Sequence, residues 1–272
     1  EEEHTLKSLL LLAKLQRKFM QKEKAIETLL RVCRRDPFVI EALEQLAELG
    51  VHPDTLTDIC GQTDLQWLPK WLQAKFEENR CHYQDAIVAL QELESRNSLS
   101  VYLFLGRCQA QLLRYESAVW SFRKAQEMDP LNTQELDFLA YVYFCGGKKG
   151  PLSSLAHTML SADPDSDASW VTVALFHFIS NKAALAENAI EKALRRNSGS
   201  LVAALALCRL YRAQKAYMSL ITVAAQSKAY SNCIFLYSEL VNAYLRISKR
   251  KEAFIHAKEL LQLTDNKSAL LP

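Results

Sequence analysis

The sequence predicts an all-α fold: a right-handed α-α superhelix of about eight helix–turn–helix repeats, forming one solenoid domain over residues 1–272. Three observations predict it: small residues recur every 34 positions, turn-forming residues are few, and the apolar content suits a continuous core. The chain has only 7 glycines and 7 prolines, too few for the tight turns of a β-sandwich or barrel. With 49% apolar residues it is not a disordered chain either.

The repeat register rests on small residues at one helix position. Gly106, Ala140, Ala174 and Cys208 follow one another at intervals of 34 residues. Small side chains at a helix crossing let two antiparallel helices approach closely, while larger apolar neighbours fill the space beside them. A single helix pair cannot bury its own apolar face, so the pairs are expected to stack.

The repeats follow one another without a linker. Their predicted bounds are 6–39, 40–66, 67–98, 99–132, 133–166, 167–200, 201–233 and 234–267. Repeat 40–66 is short and degenerate: its first helix is expected to end at Gly50, and His52-Pro53-Asp54 to start a second helix that runs only to Cys60.

Repeat 99–132 carries the clearest motif. At positions 4, 7, 8, 20, 24, 27 and 32 it has Tyr102, Leu105, Gly106, Ala118, Phe122, Ala125 and Pro130. This pattern resembles the tetratricopeptide repeat (TPR), and the resemblance implies a protein–protein interaction module with a concave binding wall.

The irregular region resembles a narrower family. Leu49-Gly50-Val51 interrupts the repeats, and the string W-L-x-x-W-x-x-A follows over residues 67–74. These features resemble the subunit 7 family of the anaphase-promoting complex, a ubiquitin ligase of the cell cycle that acts in mitosis and cell division. The likeness extends over about residues 5–267 and is distinctive over 30–90.

The resemblance implies a non-catalytic scaffold or accessory subunit. Its implied partners are the sister TPR subunits of the complex, in the nucleus and cytoplasm. It also implies homodimerisation through N-terminal repeats; we expect this chain to begin partway along the family pattern, so that the dimerisation region would be missing from it.

Two other functions stay open. The chain could be a TPR adaptor whose concave groove binds a peptide tail or helix of another partner, in trafficking, import or a chaperone system. It could also be a non-catalytic arm of an enzyme whose active domain lies outside these residues. Chaperone-tail adaptors of this repeat type resemble one another in a two-carboxylate clamp, which has Lys and Asn at positions 5 and 9 of one repeat. This chain has Leu103 and Arg107 at those positions, so the clamp is not expected.

The candidate partner-binding residues occupy wall positions of the first helices. They are Arg107, Asp137, Tyr141, Phe144, Leu175, Phe178, Arg209 and Arg212. An apolar strip flanked by arginines suits a partner helix or an acidic or carboxylate-ended peptide. The alternative is that tight winding buries these side chains against neighbouring repeats.

Charge and motif content indicate no further chemistry. The net charge of +2 predicts no affinity for nucleic acid, and no apolar run approaches the ~20 residues of a membrane span. Seven cysteines without a C-x-x-C pair and six histidines without i, i+4 spacing indicate a reducing intracellular compartment and no metal site. We therefore predict no catalytic residues, no cofactor and no metal.

Overall fold

The computed structural model describes residues 5–19, 21–60, 65–228 and 233–263. This part of the chain forms sixteen α-helices and contains no β-strand. The helices come in eight consecutive pairs, which confirms the predicted all-α class and its repeat number. The chain divides into two compact units, 1–96 and 97–272. That both units form one solenoid domain stays a prediction.

The first unit contains three helix pairs. Their bounds are α1 Leu6–Lys18, α2 Lys22–Arg35, α3 Ile40–Glu48, α4 Pro53–Cys60, α5 Leu68–Asn79 and α6 Tyr83–Gln91, and a 3-10 turn follows at Glu94–Arg96. The boundaries of the irregular pair α3–α4 agree with those predicted from the sequence. Gly50 has φ +83°, a left-handed conformation that ends α3 and that other residues adopt less readily, and α4 begins at Pro53.

The second unit contains five helix pairs. Their bounds are α7 Leu99–Gln111, α8 Tyr115–Met128, α9 Leu136–Cys145, α10 Lys149–Ala162, α11 Asp167–Ile179, α12 Ala183–Arg196, α13 Leu201–Ala213, α14 Tyr217–Lys228, α15 Ile234–Arg246 and α16 Arg250–Leu263. The small residues of the register, Gly106, Ala140, Ala174 and Cys208, are all buried. They lie at the helix contacts, as close antiparallel packing requires.

The turn inside a repeat places one residue in the left-handed conformation. Gly50 and Gly147 do so with φ +83° and +66°, but in five other pairs the position is held by residues other than glycine: Cys81, Leu113, Asn181, Lys215 and Ser248, with φ between 57° and 62°. A side chain in this region costs about 1 kcal/mol, so the packing of the flanking helices imposes the turn against local preference.

The turn between repeats is closed by an acidic or amide side chain. Asp129 ends α8 and accepts a hydrogen bond from the Leu131 amide at 3.1 Å. In the same way, Asp163 accepts a hydrogen bond from the Asp165 amide and Asn197 accepts one from the Gly199 amide, at 3.0 Å each. These Asx turns explain why Asp or Asn follows α8, α10 and α12.

Candidate protein-interaction site

The predicted binding residues lie on the first helices of the second unit. Arg107 lies on α7, Asp137, Tyr141 and Phe144 on α9, Leu175 and Phe178 on α11, and Arg209 and Arg212 on α13. We call the surface formed by α7, α9, α11, α13 and α15 the inner face. Successive first helices contact each other, and α9 also contacts α13, two repeats further on. The inner face is therefore tightly wound.

An aromatic cluster fills the middle of the inner face. The rings of Tyr141 and Phe235 meet edge to face with centroids 5.2 Å apart, joining α9 to α15 three repeats away. Phe144 packs on Phe178 in the same manner at 5.4 Å. Tyr141 and Leu175 are each only 1% exposed, so at these two positions the burial alternative describes the structure. Phe144 and Phe178 keep partial exposure, and their contact with a partner stays a prediction.

Two of the predicted arginines converge on one buried carboxylate. Arg209 Nε lies 2.9 Å from Glu239 Oε1, and Arg212 Nη1 lies 3.3 Å from the same oxygen. Glu239, on α15, has a side chain only 2% exposed. Arg209 also donates to the Tyr141 hydroxyl at 3.4 Å. A buried carboxylate needs such pairing, so these guanidinium groups hold α13 against α15 and α9.

Arg107 makes an ion pair inside the unit as well. Its Nη1 lies 2.7 Å from Glu135 Oε1, and its guanidinium stacks 4.8 Å from the ring centre of Phe104. Glu135 precedes α9 and has φ +59°, so the pair fixes a strained entry into that helix. The charge of Arg107 is therefore engaged with the next repeat.

Asp137 is the one carboxylic acid among the predicted binding residues, and its pKa is shifted. Burial of its carboxyl, followed by the nearby charges of Glu135 and Asp167, raises the pKa of Asp137 to about 7. Two neighbouring acids and poor solvation both disfavour a third negative charge. Near neutral pH this carboxyl is therefore a mixture of its neutral and charged forms.

Cys145 lies beside the phenols of Tyr115 and Tyr141. Burial raises the pKa of the Cys145 thiol, and it raises the pKa of Tyr115 to about 12. A catalytic thiol needs a lowered pKa, because the thiolate is the nucleophile. The group is a hydrogen-bonded part of the packing and has no feature of an activated nucleophile.

A hydrogen bond between side chains joins α7 to the start of α15, far apart in the sequence. Gln111 Nε2 donates to Cys233 Sγ at 3.2 Å, across 122 residues of sequence. Both residues are buried. The first helix of the unit thus touches the residue that precedes α15.

In the first unit, basic residues of α1 are paired with acids of α3. Lys14 Nζ lies 2.7 Å from Glu41 Oε1, and Arg17 Nη2 lies 3.0 Å from Glu48 Oε2. These contacts join one repeat to the next. They give the basic face of α1 a role within the fold.

One side-chain group in the described residues has the composition of a metal site. Ligand atoms of Glu77, His82 and Asp85 lie within 4.8 Å of one another. His82 Nδ1 is 3.0 Å from Glu77 Oε2, a contact that closes the turn between α5 and α6. The absence of a resident metal stays a prediction.

Among the described helices, none is long and apolar enough to cross a bilayer.

The class of protein follows from this architecture. Helix pairs that recur about every 34 residues with small residues at their crossings are the architecture of tetratricopeptide-repeat solenoids. The family model described as Tetratricopeptide repeat matches residues 99–130, the repeat in which the motif is clearest.

Within that class, the chain resembles Anaphase-promoting complex subunit 7, as the sequence predicted. It is 26% identical to the subunit from Arabidopsis thaliana over 270 residues, covering 93% of this chain and 48% of that protein. It is 24% identical to the Homo sapiens subunit, covering 95% of this chain and 47% of that protein. The chain thus spans about half the length of the curated relatives it matches.

Solved structures with the same fold include a subunit assembly of that complex. The crystal structure of the APC/C hetero-tetramer Cut9-Hcn1 aligns with a TM-score of 0.78 at 15% identity, over 95% of this chain and 52% of that chain. An IFIT1 monomeric mutant with Gppp-AAAA aligns with a TM-score of 0.59 at 13% identity, over 99% of this chain and 71% of that chain. At these identities the likeness shows the fold alone.

Glu239, the acid that pairs with Arg209 and Arg212, was not predicted from the sequence. Glu239 is the lone acid in an otherwise apolar and uncharged stretch, residues 233–245. An isolated acid on a buried helix face requires a partner, and this signal could have pointed to the two arginines.

Proposed function

We propose that the chain is a non-catalytic scaffold subunit of the anaphase-promoting complex. The observation that carries the proposal is the likeness to subunit 7 from four organisms, at 22–26% identity over 91–95% of this chain. A match that spans every repeat, the irregular pair α3–α4 included, is more specific than a match to the common repeat motif. The proposed partners are other subunits of that complex, and a second copy of the full-length protein, in the nucleus and cytoplasm.

The inner face supports a scaffold over a peptide receptor. Tyr141 and Leu175 are buried, and Glu239 neutralises the charge that would attract a carboxylate to Arg209. Large exposed apolar residues lie elsewhere, for example Trp120 at 51% and Phe254 at 71%. Contacts with folded neighbours through such outer residues are the mode of assembly we propose.

A peptide-binding adaptor is the second candidate. The observation that favours it is the partial exposure of Phe144 and Phe178, together with that of Arg212 on the neighbouring first helix, whose side chain is 40% exposed. An aromatic pair and an arginine on one face suit the end of an acidic or apolar peptide.

Binding assays with the purified chain separate the two candidates. A scaffold is expected to bind folded subunits of the complex and to show no saturable binding to a library of short fluorescent peptides. An adaptor is expected to bind one peptide class, and Phe178→Ala is expected to abolish that binding. Phe254→Ala, an exposed aromatic on α16, is the matched control. Peptide binding that Phe178→Ala abolishes and Phe254→Ala leaves intact would overturn the scaffold proposal.

A further inference from the structure

A basic pocket lies at the junction of three helices in the second unit. It has a volume of about 200 Å³ and is lined by Arg212, Tyr217, Leu220, Asn242, Ala243 and Arg246. Arg212 comes from the end of α13, Tyr217 and Leu220 from the first turn of α14, and the rest from α15. Two guanidinium groups, a phenol and an amide thus line one cavity, and no carboxylate is among these lining residues.

The arginines that line and adjoin the pocket outnumber the one carboxylate with which they pair. Arg209, Arg212 and Arg246 supply three positive charges, and Glu239 supplies one negative charge, a net charge of +2. Glu239 is shared between Arg209 and Arg212. Arg246 is exposed and makes no ion pair with any residue that the structure describes. A dianion would neutralise this net charge of +2, whereas a single carboxylate would neutralise only half of it.

The first turn of α14 and residues of α15 complete the lining of the pocket. Tyr217 is the first residue of α14, and Leu220 lies in the same turn of this helix. Asn242 and Tyr217 add neutral hydrogen-bond donors, and Ala243 and Leu220 supply a dry, apolar wall. Guanidinium forks and neutral donors form a donor set that suits the several oxygens of a phosphate group.

We propose that this pocket binds a phosphate monoester dianion, held between the guanidinium groups of Arg212 and Arg246. The site does not depend on membership of the anaphase-promoting complex. The phosphate can belong to a phosphorylated side chain of a partner protein or be free in solution, and both present the same oxygens. Arg212 engages Glu239 with one nitrogen, so its remaining donors serve the ligand.

Isothermal titration calorimetry on the purified chain tests the site, with blocked phosphoserine (the N-acetyl amide) and inorganic phosphate as probes. Saturable binding of either probe is expected, and Arg246→Gln is expected to weaken it by about tenfold or more. Arg246 is exposed, so the variant is expected to fold, and circular dichroism checks this. Arg123→Gln is the matched control, since Arg123 is an exposed arginine on α8 that does not line the pocket.

Comparison of the probes identifies the source of the phosphate. Tighter binding of blocked phosphoserine supports a phosphorylated partner, and tighter binding of inorganic phosphate supports the free ion. Binding of phosphoserine is expected to strengthen from pH 5 to pH 7.5, because the second proton of the monoester leaves near pH 6. Absence of binding, equal binding by Arg246→Gln and the parent chain, or acetate that competes as well as phosphate would each overturn the proposal.

Discussion

Gly106 on α7 lies directly against the ring of Phe122 on α8. A Cβ placed on Gly106 would come within 2.8 Å of Phe122 Cε2 and within 2.9 Å of two further ring atoms. The ring is fully buried, and in a close-packed interior its displacement disturbs the neighbouring side chains. Gly106→Ala is therefore expected to lower the free energy of unfolding by about 1 to 3 kcal/mol, measured by urea denaturation.

Gly150→Ala is the matched control for this prediction. Gly150 lies in the first turn of α10, and a Cβ there would meet no atom within 4 Å. Alanine favours the helix and restricts the unfolded chain, so a gain of about 0.5 to 1 kcal/mol is expected. Equal effects of the two substitutions would contradict the close approach at Gly106.

Glu239→Gln is expected to loosen the contact between α13 and α15. The substitution removes the negative charge while it keeps the size of the side chain, and leaves Arg209 beside a neutral amide in a site where Glu239 is 2% exposed. We expect a loss of about 2 to 3 kcal/mol in the free energy of unfolding.

The control for the charge change is Glu191→Gln. Glu191 pairs with Arg195 on the surface of α12, with side chains 57% and 78% exposed, so a change of about 0.5 kcal/mol or less is expected. If Glu239→Gln cost no more than Glu191→Gln, the buried pair would have no role in stability.

The raised pKa of Asp137 predicts that the stability of the protein depends on pH. Its carboxyl has a pKa of about 7 in the fold, against 3.8 for the ordinary side chain. Between these values the folded chain holds a proton that the unfolded chain has released, so this group's stabilising contribution falls as the pH rises. The contribution is fully present below about pH 4 and is lost as the pH passes about 7.

Asp137→Asn removes this dependence, because an amide does not titrate. The stability of the variant relative to the parent chain is expected to rise by about 1 kcal/mol per pH unit from pH 5 to pH 7. Urea unfolding at several pH values measures the difference. A constant difference across this range would show that Asp137 is not held protonated by its surroundings.

Leu113→Gly is expected to stabilise the protein. Leu113 has φ +59° in the turn between α7 and α8, and 56% of it is exposed, so few contacts are lost with the side chain. Relief of the left-handed strain exceeds the added entropy of the unfolded chain, for a net gain of about 0.5 kcal/mol in a thermal unfolding assay.

The same exchange at Leu185 provides the comparison. Leu185 lies inside α12 and is 48% exposed, but its backbone is helical. There glycine is expected to lower stability by up to about 1 kcal/mol. A loss at both positions would argue that Leu113 is not strained.

Much of the fold could be predicted because its determinants are local. Gly50 and Pro53 mark the end of α3 and the start of α4, and the structure places both boundaries there within about two residues. The small residues of the register fix where helices cross. The left-handed turns at Cys81 and Leu113 could not be predicted from residue type, since packing imposes them against local preference.

The site was less predictable because it depends on contacts between distant repeats. Sequence position places Tyr141 and Arg209 on the first-helix wall, but the rotation from one repeat to the next decides what they face. That rotation brings Phe235 onto Tyr141 and Glu239 onto Arg209, three repeats and one repeat further along the chain. The position of Arg246 beside Arg212 depends on the same long-range geometry.

Assembly with other subunits of the anaphase-promoting complex is the central expectation, and affinity purification tests it most directly. The tagged full-length protein would be purified from dividing cells, and co-purifying proteins quantified by mass spectrometry. Recovery of the other subunits in stoichiometric amounts is the predicted result. Their absence, with an unrelated protein enriched instead, would contradict the scaffold assignment and direct attention to Phe144 and Phe178 as a peptide site.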